Sequence, residues 1–469
     1  MYINISKVDF GRCYSGSSGG GGEVVDLDYL TLTALEDGEI TITIPSGVNS
    51  TYATYLSYSK DKSNWVETAI DSTSQTITIP VSGGEDVYLK GKAKQWAIHG
   101  YPGGNLNISS TANFIVSGNA MSLLYGDEFK DKTTFQGGSR YALGGLFRSN
   151  AHLINAENLI LPATTLADTC CYQMFYDCTS LTTAPELPAT ELAEGCYYQM
   201  FQGCSSLKTT PELPATTLAD SCYDGMFNGC TALTTAPELP ATTLQSYCYN
   251  GMFWGCSSLT TTPALPATTL QSGCYGSMFG NCTALETAPA LPATVLVTYC
   301  YSGMFRGCTA LTTAPELPAT TLADSCYDGM FNGCTALTTA PELPVMELAE
   351  SCYSRMFNGC SSLTTAPELP ATTLASQCYQ NMFYDCSSLK TAPELPATTL
   401  TQYCYNSMFR GCSKLNSITM LATNISATNC LGEWVSGVAS TGTFTKAASM
   451  TSLPTGNSGI PSGWTVVNK

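Results

Sequence analysis

From Leu161 to Cys412 the apolar and polar positions recur with a single period. Cysteines stand at 170, 196, 222, 248, 274, 300, 326, 352, 378 and 404, spaced by 26 residues, and a second series from Cys178 to Cys412 follows each by eight. Between the two come Met and Phe at the fourth and fifth places, as in Met226-Phe227 and Met330-Phe331. A Leu stands three residues after the second Cys, and Thr-Thr-Ala-Pro-Glu-Leu-Pro-Ala-Thr-Thr-Leu follows, as in Thr234 to Leu244. A fixed period of this length marks a solenoid whose units bury their apolar faces only against their neighbours.

With the first Cys counted as zero and about 100° of turn per residue, Cys, Tyr (+1), Met (+4) and Phe (+5) fall within an arc of about 140°. The residue at −3, mostly Ala, lies in the same arc. The spacing therefore predicts a short amphipathic helix with Ala, Cys, Tyr, Met and Phe turned inward. At +7 every unit has Gly, Asp or Asn, as at Gly229, Asp177 and Asn281, residue types that take the left-handed conformation ending a helix. The Leu-Thr-Thr-Ala-Pro-Glu-Leu-Pro stretch reads as an extended return whose two prolines leave room for only a very short central strand. Strands stack at about 4.8 Å and helices pack at about 8–10 Å, so the array is expected to curve, with helices on the convex side.

Before the repeats the pattern alternates. Residues 1–14 form a short alternating segment read as an attachment piece, and 15–26 a Gly/Ser linker. Tyr29 to Thr33, Glu39 to Ile44, Tyr52 to Tyr58, Gln75 to Ile79 and Asp86 to Lys90 read as short strands of a small Ig-like β-sandwich over 27–117. Trp65 and Trp96 are read there as core or strand-edge packing. Residues 118–160 are expected to be an N-terminal capping repeat, with Asn150 in a cysteine's place, and 161–412 to hold ten repeats. Residues 413–469 are expected to be a C-terminal cap with Cys430-Leu431 and Trp434-Val435 on a helix.

Charge and cysteine content narrow the function. The formal charge is −17 with only 19 Lys and Arg, which disfavours nucleic acid and anionic lipid as partners. The first residues lack the basic and apolar runs of a secretory signal, and no stretch has the apolar length of a membrane-spanning helix. Twenty-three cysteines suggest disulfides or zinc. The expected helix geometry argues against both. The two Cys of one unit are roughly 12 Å apart, and equivalent Cys on packed helices are about 8–10 Å apart, beyond the reach of a bridge. The thiols are therefore expected to be two buried ladders of small apolar side chains. No phosphate loop, nucleophile set or isolated carboxylate pair is present, so neither an enzyme nor a cofactor is indicated.

The Phe-x-Gly-Cys-x-x-Leu turn, the extended piece ending in Leu-Pro and the aromatic pair of the helix resemble the BspA-like leucine-rich repeat surface proteins, ten times over in 161–412. The unit is longer than the family's usual one, has Met before Phe where Ala is common, and carries an extra Pro. The fold class that follows is an α/β repeat solenoid, leucine-rich-repeat-like, with a short helix and a short strand per 26-residue unit behind an all-β sandwich. The resemblance implies adhesion or host-surface binding. The layout of tag, Gly-rich linker, small β domain and Met-Phe repeats is also similar to bacteriophage tail or fibre proteins. That similarity implies a virion receptor-binding or host-attachment role, with a homo-oligomer or virion partner through residues 1–14. The alternatives are a bacterial cell-surface adhesin and a purely structural spacer.

Comparison of the units places the variable positions at −1, +2, +3 and +6, the solvent side of the expected helix. Candidate ligand-binding residues there are Tyr172, Tyr176, Tyr198, Tyr247, Trp254, Tyr299, Arg306, Arg355, Tyr384, Tyr403 and Arg410. Tyr, Trp and Arg beside Ser, Gly and Asn are the residues of adaptable binding surfaces, and the expected target is a protein or glycan on a cell surface. A second stripe is the Glu of Pro-Glu-Leu-Pro, from Glu186 to Glu394, replaced by Ala264 and Ala290. It is read as a solvated acidic face, with calcium as the alternative.

Overall fold

The computed structural model describes residues 28–98, 104–135 and 139–469. The attachment segment 1–14, the linker 15–26 and His99 lie outside the described residues.

Alternating β-branched and aromatic residues build two sheets around one core. The larger holds β1 (Leu30–Ala34), β3 (Ala53–Ser59), β4 (Val66–Ala69), β6 (Asp86–Ala93), β8 (Phe114–Asn119) and β9 (Leu153–Ile160), in the order β4-β3-β6-β1-β8-β9. The smaller is β5 (Gln75–Val81), β2 (Gly38–Ile44) and β7 (Asn107–Ser110), in the order β5-β2-β7. Leu30, Leu32, Ile40, Ile42, Val87, Leu89, Ile108 and Phe114 fill the space between them. Trp96 is fully buried, its indole N–H donating to the Leu123 carbonyl at 2.9 Å. Trp65 is half-buried, edge-on to Tyr29 with Lys90 Nζ 4.1 Å from its ring. α1 (Ser122–Tyr125) is the one α-helix among the described residues.

The sandwich runs directly into the repeats. β9 pairs with β8 in parallel, and Asn155 of β9 bridges in parallel to Thr183 of the first full rung. Asn150 is buried, and its amide donates to the Ile108 carbonyl at 2.9 Å. Phe147 stacks on Phe175 at 5.4 Å. The open end of the phenylalanine ladder is thus closed by the sandwich itself, as a solenoid terminus requires.

The expected helix in each unit is not formed. The residues at −1, +3 and +7 all have positive φ: Thr169, Gln173 and Asp177 in the first rung, Tyr247, Gly251 and Gly255 in the fourth, Asn429, Glu433 and Gly437 in the last. A left-handed residue at every fourth place breaks an α-helix each time it starts. What forms is a ribbon of consecutive turns with two alternating sets of bonds. The N–H groups of Cys170, Met174 and Cys178 donate three residues back, to Ala167, Cys171 and Phe175, each across a positive-φ residue in the manner of a type II turn. Between them, the N–H groups of Cys171, Gln173, Phe175 and Asp177 donate to Cys196, Tyr198, Met200 and Gln202 of the next rung at 2.7–3.0 Å. Every backbone donor is satisfied, half within the rung and half between rungs. The spacing of packed helices on which the expected curvature rested is therefore absent.

The inward positions are as the spacing predicts. Cys, Tyr, Met and Phe are buried in rung after rung, with the Phe rings stacked at 5.2–5.8 Å from Phe175 to Phe409 and the Tyr rings at 5.8–6.1 Å from Tyr197 to Tyr405. On the other side, prolines reduce the sheet to isolated parallel bridges such as Thr183↔Thr209, Thr235↔Thr261 and Thr339↔Thr365. Beyond the last Pro-Glu-Leu-Pro the ladder closes up: β10 (Thr391–Leu395), β11 (Ser417–Met420), β12 (Thr443–Lys446) and β13 (Thr465–Asn468) form one parallel sheet. β11, β12 and β13 contain no proline, so each residue keeps its ladder donor. Cys430, Leu431, Trp434 and Val435 are buried on a further turn ribbon, not a helix.

The cysteines are buried and free, for a reason other than helix spacing. Rungs this close bring equivalent Cα atoms within bridging range. In-register side chains, however, keep their Cβ atoms a full rung apart, at roughly 5 Å, against the ~3.8 Å of a disulfide. Each second-series thiol instead donates to the Phe carbonyl of the preceding rung, as Cys204 to Phe175 at 3.0 Å and Cys308 to Phe279 at 3.1 Å. Burial pushes these thiols up, to about 12 at Cys256, Cys308 and Cys360. Thiolate is the reactive form, so N-ethylmaleimide at neutral pH is expected to leave the ladder cysteines unmodified in the folded chain and to label them all in urea. Peptide mass spectrometry reads the difference; labelling of Cys256 or Cys308 before unfolding would contradict a closed core.

Candidate functional site

The turn ribbon sets which side chains face out. Positions −1 and +3 carry positive φ and +2 and +6 lie between them, so the four outward places form columns along the solenoid. Part of the variation at −1 and +3 is conformational: Gly, Asn and Ser recur there because those places are left-handed. Tyr247, Tyr299 and Arg355 nonetheless occupy such places with φ of 55°, 59° and 55°, an unfavourable conformation for large side chains.

The eleven candidate residues fall into separate groups. Near the sandwich, Tyr172 and Tyr198 stack at 5.2 Å, and the Arg148 guanidinium lies 4.4 Å from the Tyr176 ring while bonding Gln173. At the far end Arg410 lies 5.8 Å from the Tyr384 ring, and the Tyr403 hydroxyl accepts from Asn429 at 3.2 Å. Arg355 grips Asp328 through two nitrogens, at 3.1 and 2.9 Å, which makes it a rung-to-rung tie.

Tyr247, Trp254, Tyr299 and Arg306 belong together. Tyr247 and Trp254 stand at −1 and +6 of the rung of Cys248, and Tyr299 and Arg306 at the same places two rungs on. The steps between these rungs, read on the Phe253, Phe279 and Phe305 rings, are 5.7 and 5.8 Å. The intervening rung of Cys274 presents Gly273, Gly276, Ser277 and Gly280. A Cβ at Gly273 would stand 2.4 Å from the Tyr247 ring, and one at Gly280 would stand 2.1 Å from the Trp254 ring. The two rings reach across into space that glycine leaves open. Tyr247 and Tyr299 are 41% and 47% exposed, and the Arg306 side chain has no ion pair among the described residues. Gly273 and Gly280 are functional neighbours that the variable-column reading passed over; the signal was a glycine one period after each large aromatic.

Comparison with known proteins identifies the repeats. The family model of the BspA type leucine rich repeat region matches residues 151–286, 246–390 and 324–431, in six copies. The chain belongs to the BspA-type leucine-rich repeat family. The BspA-type repeats therefore begin within the rung that joins the sandwich and continue past Cys430. No curated protein and no solved structure matches the chain. Membership in this family points to adhesion or recognition at a surface, without catalysis.

The acidic stripe is a column of exposed side chains, Glu186, Glu212 and Glu238 on one side of Ala264 and Ala290, and Glu316, Glu342, Glu368 and Glu394 on the other. Among the described residues no three His, Cys, Asp or Glu side chains converge as a metal site would require. His152 is held by Asn113, with Nδ1 3.3 Å from Oδ1.

Proposed function

We propose that this chain is a non-enzymatic recognition protein displayed on a surface, that of a bacteriophage virion, where the outward face of its turn ribbons attaches to a host cell. Family membership supports adhesion or recognition. The virion placement draws on the similarity of layout to tail and fibre proteins. It also draws on the many free buried thiols, which suit assembly in a reducing compartment. The observation that carries the recognition reading is the grouping of Tyr247, Trp254, Tyr299 and Arg306 around a glycine rung. Large rigid aromatics and arginine supply most of the energy of protein recognition surfaces, and here two of them occupy backbone places that disfavour them.

The test is attachment of the labelled full chain to candidate host cells, with Tyr247, Trp254 and Tyr299 replaced together by Ser. The wild type is expected to bind saturably, and the triple variant at least tenfold more weakly with an unchanged circular dichroism spectrum. Equal attachment by both would remove this face, and a wild type that binds no cell would favour a spacer.

A further inference from the structure

We propose that the trough over the rung of Cys274 is a subsite for the pyranose rings of a neutral saccharide. The inference rests on the outward face being the recognition surface, and adds the chemical class of its ligand.

The floor is closed to polar recognition. The N–H groups of Gly273 and Ser277 donate to Thr298 and Ser302 of the next rung at 3.1 and 2.7 Å, and those of Gly276 and Gly280 donate within the rung at 3.0 Å. The carbonyls of Gly276 and Gly280 accept from Gly251 and Gly255 at 2.8 and 2.7 Å. A peptide strand seeking ladder bonds finds none free here, and an anion finds no open amide. What remains is bare backbone beside aromatic rings, which suits a flat apolar face.

The rim is polar. Tyrosine hydroxyls stand at the −1 column, and the guanidinium of Arg306, with its five donors and no ion pair among the described residues, stands at +6. A ligand that fits is apolar on its faces and hydroxylated around its edge. A pyranose ring has that form, with C–H groups toward aromatic rings and hydroxyls toward the rim. The charge of −17 repels polyanionic chains, which selects neutral sugars over uronic acid polymers.

The full chain is to be tested on a printed array of neutral and acidic oligosaccharides, including cellotetraose, mannotetraose, chitotetraose and polygalacturonate. Trp254→Ser and Gly280→Val are the variants. Valine keeps both aromatics but fills the space into which the Trp254 ring reaches. Retention on a neutral sugar, lowered at least tenfold by both variants while binding of an antibody against the sandwich is unchanged, is expected. No neutral sugar retained, retention unaltered in Trp254→Ser, or preference for polygalacturonate would overturn the proposal. Cell attachment that depends on Trp254 but is abolished by protease and untouched by periodate would overturn the sugar alone and leave the recognition reading standing.

Discussion

Replacing Phe279 by Ala is expected to lower the stability of the repeat array by about 3–5 kcal/mol, the range for truncating a fully buried aromatic. The ring is fully buried and stacked on both sides, on Phe253 at 5.7 Å and Phe305 at 5.8 Å, and each such pair adds roughly 0.5–1.5 kcal/mol beyond area burial. Relaxation is hindered, because both neighbouring rungs are held to this one by backbone bonds on the ribbon side, Phe253 N–H to Met278 and Phe279 N–H to Met304, at 2.9 Å. A solenoid is stabilised mainly through contacts between neighbouring units, so one gap weakens two interfaces. Urea unfolding followed by circular dichroism measures the loss. Exposed Arg306→Ser is the control, expected within about 0.5 kcal/mol of wild type. A loss below about 1 kcal/mol for Phe279→Ala would mean that the phenylalanine ladder is not what holds the rungs together.

That ladder was legible in the sequence because burial depends only on which residues share a face. Cys, Tyr, Met and Phe at 0, +1, +4 and +5 face inward on a helix, and also on a ribbon of four-residue turns, since both bring every fourth residue back to the same side. Over the ten or so residues between successive prolines and cysteines the two periods barely diverge. The discriminating signal was a second series, Gly, Asn, Asp or Ser at −1, +3 and +7, as in Ser221, Gly225 and Gly229. Reading only +7 as a helix terminus used one third of it. Glycine within a helix costs about 1 kcal/mol, so four units with Gly at both +3 and +7, among them those of Cys222 and Cys300, already argued against helices. The narrow sheet was legible for the opposite reason: proline removes a donor whatever surrounds it.

The candidate site was legible as single residues and not as a site. Tyr247 and Trp254 were found by their chemistry, but their relation to Gly273 and Gly280 depends on the distance between rungs. Helices would hold the rungs too far apart for a ring to cross. Hydrogen-bonded ribbons bring the next rung close enough that an aromatic lies where a neighbour's side chain would otherwise stand. Arg355 shows the converse: the same composition yields a structural tie where the neighbouring rung supplies Asp328.

Asp224→Asn is expected to stabilise the protein by about 2–3 kcal/mol at neutral pH and by little near pH 4. Asp224 holds the same +2 place as Asp328, but the next rung offers it only the Asn250 amide, at 3.1 Å, where Asp328 has a guanidinium. Burial pushes its carboxyl up to about 6, against a partial lowering by the Asn250 bond. Between the ordinary carboxylate value of 3.8 and about 6 the folded state binds the proton more tightly than the unfolded state, so stability falls as pH rises through that window. Above it the folded chain carries a poorly solvated carboxylate. Asparagine has the same shape and no charge, and its amide oxygen can still accept from Asn250. Urea midpoints of wild type and variant at pH 4 and pH 8 test the assignment: the gain belongs at pH 8 alone, and an equal gain at both values would place its origin in packing, not in the buried charge.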